Sequence, residues 1–271
     1  MNTTESRTVT SADGTRIAYS VTGDGPALVL VDGALCSRAF GPLPALATHL
    51  ADRFTVFTYD RRGRNESGDA GNYAPARETE DLAAMVAAAG GSAYVYGISS
   101  GAVLVLRSAA KIDGVLAVAV YEAPVMVEGY GIPADYASRL KSIVAAGRNS
   151  DAIDLFNTDV VGIPAEYLAP MKAMPAWPLM ESGAATLVYD AAIMGDSQSG
   201  HGLDDLLVES LTSISVPALV LDGGASPSMF RTGADAITSH LNNAERRTLP
   251  EQTHEADPAV LGPVIADFFL N

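Results

Sequence analysis

Residues 97–101 read Gly-Ile-Ser-Ser-Gly, which matches the pattern G-x-S-x-G of a nucleophilic serine. A short apolar run typical of a strand comes before the pattern, and the apolar stretch 102–110, typical of a helix, follows it. Small flanking residues let such a strand and helix pack closely, so that the serine projects from the sheet edge. The first amides of the helix can then stabilise an oxyanion. We therefore predict Ser99 as the nucleophile and the amide of Ser100 as an oxyanion donor.

A serine nucleophile needs a base, and the sequence offers four histidines: His49, His201, His240 and His254. His254 lies after the last predicted strand and before the last predicted helix. That is the position of the base when a triad follows the chain order serine, acid, histidine. The other three histidines lie near the ends of predicted helices or in a Gly-His-Gly turn. We predict His254 as the base.

Two carboxylates could orient this histidine. Glu122 directly ends the apolar run 115–121, where an ionisable group is costly unless it has a partner such as an imidazolium. Asp222 lies at the end of a later predicted strand, one residue before a glycine, and the position at which many such enzymes carry the acid holds Ser226. We predict Glu122 as the acid and keep Asp222 as the alternative.

A second oxyanion donor is expected from the loop 32–35, which follows the predicted strand 27–31. Gly33 and Ala34 are the candidate donors. Asp32 is expected to tie this loop down, because a carboxylate facing a developing negative charge would be unfavourable.

A run of arginines follows the next predicted strand: Arg61, Arg62 and Arg64. In so acidic a chain, we expect them to pair with neighbouring carboxylates instead of binding phosphate. The candidate partners are Asp60, Glu66 and Asp69.

The elements that must position these residues alternate between short apolar runs and helical stretches. Strands are predicted at 15–21, 27–31, 54–59, 93–96, 115–121, 216–221 and 246–249, and helices at 43–50, 77–89, 102–110, 232–241 and 259–270. This alternation predicts an α/β fold with a mostly parallel, doubly wound sheet. Residues 1–123 and 206–271 form the predicted core domain. Residues 124–205, here called the cap segment, show helical stretches without a convincing strand. They predict a helical cap, or lid, inserted after the strand 115–121, which is the sixth core strand of such a fold.

Composition excludes several kinds of partner. The chain has 17 Lys+Arg and 32 Asp+Glu, a net charge of −15, which disfavours nucleic acids and anionic membranes. Cys36 is the only cysteine, so neither an intramolecular disulfide nor a cysteine-cluster metal site is expected. Residues 1–10 are polar, and no apolar run approaches the ~20 residues of a membrane span. We expect a cytoplasmic protein that acts on a small molecule without cofactor or metal; the oligomeric state stays open between monomer and homodimer.

These segments together resemble the α/β-hydrolase superfamily, and within it the zearalenone lactonase type. With the strands counted as in that family, the shared motifs are VDGAL after the third strand, GISSGA at the serine, VYEAP after the sixth strand and QTHE before the last helix. The resemblance implies Ser99 as nucleophile, Glu122 as acid and His254 as base, with Gly33 and Ser100 as oxyanion donors. It also covers the stretch MPAWP, in which that family's tryptophan contacts substrate.

The resulting prediction is a serine hydrolase that cleaves a neutral, fairly apolar carboxylic ester or lactone through an acyl-enzyme. The cap segment has 11 acidic and 4 basic residues, a net charge of −7, which disfavours anionic substrates. Its apolar residues are expected to line a hydrophobic cleft with the loop 32–35, the candidates being Leu35, Met126, Tyr130, Leu155, Phe156, Met171, Met174, Trp177 and Met180. The alternatives are a ligand-binding or receptor-like protein, a cyclase or C–C lyase, or a cofactor-free perhydrolase on the same residues.

Overall fold

The centre of the molecule is an eight-stranded sheet in the computed structural model, which describes residues 5–127 and 131–271. The strands are β1 Arg7–Thr10, β2 Arg16–Thr22, β3 Ala27–Val31, β4 Thr55–Tyr59, β5 Ala93–Ile98, β6 Val115–Tyr121, β7 Ala218–Gly223 and β8 Ala244–Leu249. They lie in the order β1-β2-β4-β3-β5-β6-β7-β8. The pairs β1–β2 and β2–β4 are antiparallel, and every other neighbouring pair is parallel. The predicted mostly parallel sheet is confirmed.

Helices cover both faces of this sheet, and further helices lie in the cap segment. They are α1 Leu43–Leu50, α2 Pro75–Ala88, α3 Ser100–Ser108, α4 Tyr136–Ala145, α5 Asn149–Phe156, α6 Leu168–Lys172, α7 Trp177–Gly183, α8 Leu187–Met194, α9 Asp205–Ser213, α10 Ser228–His240 and α11 Pro258–Leu270. Alternate residues of β3 face opposite sides of the sheet. Val29 and Val31 belong to one apolar cluster with residues of α2, α3, α9 and α10, while Leu28 and Leu30 belong to another with residues of α1 and α11. This double burial explains why the central strands are continuously apolar in sequence.

The first strand was not predicted. β1 is an edge strand of four residues that pairs only with β2 among the described elements, and its residues are largely exposed. A short polar strand of this kind has no alternation of apolar and polar residues from which it could be predicted.

In its described residues, the cap segment holds the helices α4 to α8 between β6 and the start of α9, joined by turns, and no strand. A third apolar cluster holds these helices together and includes Leu140, Ile153, Trp177 and Leu187. Leu35 of the core belongs to the same cluster, so the helices pack on the loop that follows β3. Tyr130, one of the predicted cleft residues, lies outside the described residues.

Candidate active site

Ser99 lies at the junction of β5 and α3 with a positive φ of 56°, a backbone conformation that is strained for a residue with a side chain. The glycines on either side make the junction possible. A Cβ on Gly97 would lie 2.6 Å from the carbonyl oxygen of Gly101, and a Cβ on Gly101 would lie 2.5 Å from the carbonyl oxygens of Val31 and Asp32. The turn therefore needs glycine at both positions, as a strand-to-helix nucleophile turn does.

Glu122 and His254 are brought together from different parts of the chain. Glu122 is the residue after β6, with a φ of 48°, and its buried carboxylate places Oε2 2.7 Å from Nδ1 of His254. The other oxygen, Oε1, accepts a hydrogen bond of 2.8 Å from the amide of Gly223. Both carboxylate oxygens thus have a donor, and the imidazole is left with Nε2 for other chemistry.

The loop that carries His254 is held by two further contacts. The hydroxyl of Tyr121 donates to the carbonyl oxygen of Thr253 at 2.5 Å. The ring of Phe230, from α10, is stacked on the imidazole with centroids 5.1 Å apart. No hydrogen bond joins Ser99 Oγ to His254 within residues 5–127 and 131–271. Such a contact commonly tightens only when substrate is bound.

Asp222 has different partners. Its Oδ1 accepts a hydrogen bond of 2.8 Å from Arg246, and Arg231 lies 3.7 Å from Oδ2. The carboxylate is buried, and an ion pair of this kind is what keeps a buried charge in place. Of the two predicted acids, only Glu122 contacts the histidine.

The loop after β3 lies directly beside the serine. A Cβ on Gly33 would be 3.0 Å from the Cβ of Ser99. The amide of Gly33 donates to Asp32 Oδ1 at 3.0 Å, so it is already engaged. The amides of Ala34 and Ser100, by contrast, have no hydrogen-bond partner in the described part of the chain. These two amides are free to bind an oxyanion.

Asp32 ties this loop down, as expected from the sequence. Burial raises the pKa of its carboxyl to about 7, an effect that the Gly33 amide and the nearby Arg64 and Arg61 only partly offset. Burial also raises the pKa of the neighbouring Cys36 thiol, with the Asp32 charge adding to the effect. A carboxyl that is largely neutral below that pH adds little negative charge next to the candidate oxyanion donors.

The arginine run has partners other than those predicted. Arg61 pairs with Glu78 and Asp190, Arg62 with Asp13 and Asp81, and Arg64 with Asp190. The predicted partners are engaged elsewhere: Asp60 and Glu66 contact Arg38, and Asp69 accepts from the hydroxyl of Tyr189. The arginines pair with carboxylates, as predicted, but the predicted partners were wrong. All three guanidinium groups are buried beneath α2 and α8, which supply carboxylates that are distant in sequence.

The predicted cleft residues lie in different surroundings. Leu35 and Trp177 are buried in the same apolar cluster. Met126 is buried after β6, and its amide donates to the carbonyl oxygen of Ser197. Met174 is 54% exposed. Leu155 is buried in the cluster that holds Leu35 and Trp177, and Phe156, Met171 and Met180 pack against it. The fold therefore brings six of the predicted cleft residues together.

Sequence reasoning missed three residues that contact the candidate site or the loop that carries His254: Phe230, Tyr121 and Asp190. Phe230 lies 24 positions before the histidine on which it stacks, and nothing in its local pattern marks it. Tyr121 precedes Glu122 in the motif VYEAP, so its place beside the acid was the one available signal. Asp190 lies within an ordinary apolar helical stretch.

The described residues contain neither a candidate metal centre nor a membrane-spanning helix. No group of three or more His, Cys, Asp or Glu residues there could hold a metal ion. None of the described helices is both long enough and apolar enough to span a bilayer.

Comparison with known proteins identifies the family. The model of the alpha/beta hydrolase family matches residues 28–261. This chain therefore belongs to the alpha/beta hydrolase family.

Individual relatives agree with this assignment. The crystal structure of an alpha/beta hydrolase from Sphaerobacter thermophilus DSM 20745 is 46% identical, with a TM-score of 0.88 over 97% of this chain and 100% of that chain. An esterase from Rhodococcus sp. ECU1013 shares the fold at 22% identity, with a TM-score of 0.69 over 97% and 98% of the two chains. An uncharacterized hydrolase of Bacillus subtilis (strain 168) is 38% identical over 95 residues, which is 34% of this chain and 34% of that relative.

Proposed function

We propose that this protein is a serine hydrolase that cleaves a neutral, fairly apolar carboxylic ester or lactone. The observation that carries the proposal is the position of Glu122. Its carboxylate is held between the Gly223 amide and Nδ1 of His254, on a chain whose nucleophile turn presents Ser99 at the end of β5. A serine, a buried carboxylate and a histidine in this chain order are the arrangement of an acyl-transfer triad.

The reaction follows from this arrangement. Glu122 holds the imidazole so that Nε2 is available to take the proton of the Ser99 hydroxyl, and the freed oxygen attacks the substrate carbonyl. His254 then donates that proton to the alkoxide leaving group. Water hydrolyses the acyl-enzyme by the same route. With a lactone, the acid and the alcohol leave as one ring-opened molecule.

The tetrahedral intermediate would be stabilised by the amides of Ser100 and Ala34. The amide of Gly33, the other predicted donor, is committed to Asp32. Gly33 contributes in another way, because its lack of a side chain lets the loop approach Ser99. An oxyanion donor of this kind contributes about 3 kcal/mol to transition-state stabilisation.

The substrate class rests on the surroundings of these donors. Leu35, one residue after Ala34, packs with Trp177 and other apolar residues of the cap segment. We propose that residues 124–205 cover the site as a cap and that Leu35 and Trp177 form part of an apolar wall. An apolar wall and a net charge of −7 on the cap segment both favour a neutral substrate. The resemblance to zearalenone lactonases in the motif VYEAP supports a lactone as one such substrate.

The test of the nucleophile is labelling with a fluorophosphonate probe. The wild-type protein is expected to form a covalent adduct located on Ser99 by peptide mass spectrometry, and Ser99→Ala is expected to form none. If the wild type resists labelling under conditions in which a known esterase reacts, the hydrolase proposal is wrong and a ligand-binding role takes its place.

A matched pair of variants tests the acid. Glu122→Gln keeps the size of the side chain but removes the charge that orients His254, so kcat on a neutral aryl ester is expected to fall by about 10²–10⁴-fold. Asp222→Asn is the control, since its carboxylate contacts arginines and not the histidine. Activity that survives Glu122→Gln and collapses in Asp222→Asn would reverse the assignment.

A further inference from the structure

One buried carboxylate of α8, that of Asp190, contacts the nucleophile turn and two buried arginines. Asp190 Oδ1 accepts a hydrogen bond of 2.7 Å from the Ser100 hydroxyl and one of 2.8 Å from Nη1 of Arg61. Its Oδ2 accepts one of 2.7 Å from Nη2 of Arg64. The carboxylate is only 4% exposed. The amide of Ser100 is a proposed oxyanion donor. Because the hydroxyl of Ser100 donates to Asp190, this carboxylate holds the residue that carries the donor.

The two arginines extend this contact to the opposite donor. Nη1 of Arg64 donates to the carbonyl oxygen of Gly33, and Nη1 of Arg61 donates to that of Asp32 at 3.3 Å. These carbonyls belong to the loop that carries the amide of Ala34. Asp190 therefore contacts both segments of the proposed oxyanion hole. It contacts Ser100 directly and the loop after β3 through the two arginines.

Arg61 is also held by a second carboxylate, that of Glu78. Nε and Nη2 of Arg61 donate to the two carboxylate oxygens of Glu78 at 2.6 and 2.8 Å. Tyr73 donates to Glu78 and stacks on Tyr189 of α8, with ring centroids 3.8 Å apart. A network satisfied at every position and shielded from water is rigid, because each displaced partner would leave a buried charge unpaired.

The charge of Asp190 is maintained by this network. Burial alone would raise its pKa, but Arg64, Arg61 and the Ser100 hydroxyl lower it below its ordinary value. The residue is therefore a carboxylate at neutral pH, able to accept three hydrogen bonds at once.

We propose that Asp190 is a positioning residue of the oxyanion hole, through which α8 of the cap segment fixes the spacing between the Ser100 and Ala34 amides. This inference rests on the proposed hydrolase function. An oxyanion donor acts only when it lies within about 2.7–3.1 Å of the developing charge. A misplacement of about 1 Å can cost 10²-fold in rate. Loss of the Asp190 contacts should accordingly weaken binding of the transition state and leave ground-state binding nearly unchanged.

Two variants separate this role from a purely structural one. Ser100→Ala removes the hydroxyl that Asp190 accepts and leaves the backbone amide in place. Asp190→Asn removes the charge at nearly constant size. The matched control is Asp81→Asn, because Asp81 pairs with the neighbouring buried Arg62 and neither residue contacts the two donor segments.

The measurements are kcat and KM on a neutral p-nitrophenyl ester, together with the inhibition constant of a trifluoromethyl ketone that forms an oxyanion on the serine. Ser100→Ala is expected to lower kcat at least about tenfold with little change in KM, and Asp190→Asn is expected to lower it further. The inhibition constant should rise by the same factor as kcat falls. Asp81→Asn is expected to lower the midpoint of thermal unfolding but to keep the wild-type kcat.

Three results would overturn the inference: wild-type kcat in a folded Ser100→Ala protein, an equal loss in Asp81→Asn, or a change confined to KM. If Asp190→Asn does not fold, Ser100→Ala still decides the question. Fluorophosphonate labelling of the wild type separates the two proposals. A labelled wild type with an unaffected Ser100→Ala variant refutes the positioning role alone, whereas an unlabelled wild type refutes the hydrolase and the positioning role together.

Discussion

Backbone strain is concentrated at the residues proposed for the chemistry. Of the five non-glycine residues with positive φ in the described chain, three lie at the site: Leu35 at 61°, Ser99 at 56° and Glu122 at 48°. Each such residue costs on the order of 1–3 kcal/mol and persists only where the surroundings enforce it. Here the surroundings are the close packing at the glycines, the Gly223 amide and the apolar cluster around Leu35.

At the same scale, Asp32 should make folding stability depend on pH. Its pKa in the folded protein is raised from 3.8 to about 7, mainly by burial. The folded state therefore keeps a proton that the unfolded chain releases, so the contribution of Asp32 to stability is full at low pH and is lost as the pH rises towards 7. Asp32→Asn is neutral at every pH and can still accept from the Gly33 amide. We expect the variant to gain free energy of unfolding relative to the wild type between about pH 4 and about pH 7.

Urea unfolding of both proteins across this range measures the gain directly. Asp24→Asn, at an exposed position in the turn between β2 and β3, is the matched control. A difference between Asp32→Asn and the wild type that does not change with pH would show that Asp32 does not titrate as described.

At the scale of elements, the site depends on how closely α3 approaches the sheet. The first turn of α3 lies against the end of β3, where the carbonyl oxygens of Val31 and Asp32 leave no room for a side chain on Gly101. These oxygens belong to the backbone of a central strand and to its continuation, so they cannot move aside without disturbing the sheet. The same contact sets the distance between the serine and the loop that carries the second donor.

Gly101→Ala should therefore impair both stability and activity. The added methyl group would lie 2.5 Å from two backbone oxygens, and overpacking of this kind typically costs about 1–3 kcal/mol. We expect a lower midpoint of thermal unfolding and a kcat reduced by more than about tenfold, since the donor loop is displaced. Gly183→Ala, in α7, is the control because nothing lies within 4 Å of its added Cβ. Equal behaviour of the two variants would contradict the role assigned to the close contact.

At the scale of the whole molecule, the net charge of −15 acts on whatever approaches the site. Part of the charge is neutralised internally, because buried arginines pair with Glu78, Asp81 and Asp190. The remaining carboxylates give the protein a negative field, which salt screens over about 10 Å at 0.1 M ionic strength.

This field predicts a salt response that depends on substrate charge. With a pair of p-nitrophenyl esters that differ only in a terminal carboxylate, kcat/KM for the anionic ester should rise several-fold between about 0.02 M and about 0.5 M salt. The value for the neutral ester should change little, since it has no charge for the field to repel. Parallel responses of the two esters would mean that the negative charge of the protein does not reach the site.

The sequence by itself determined the alternation of strands and helices, the nucleophile turn and the candidate triad residues. These are local properties: apolar runs, glycine spacing and the order of residues along the chain specify them without reference to distant contacts. The polar edge strand β1 was not predicted because it has no apolar pattern.

Only the tertiary structure decided which carboxylate lies beside His254, which amides beside Ser99 are free, and which acids the arginines contact. The histidine and Glu122 are 132 positions apart, and Arg61 and Asp190 are 129 positions apart. In each case several residues of the right type were available in the sequence, as Glu122 and Asp222 were for the histidine. A buried charge takes the partner that the packing of strands and helices places within hydrogen-bonding distance, and proximity along the chain does not specify that packing.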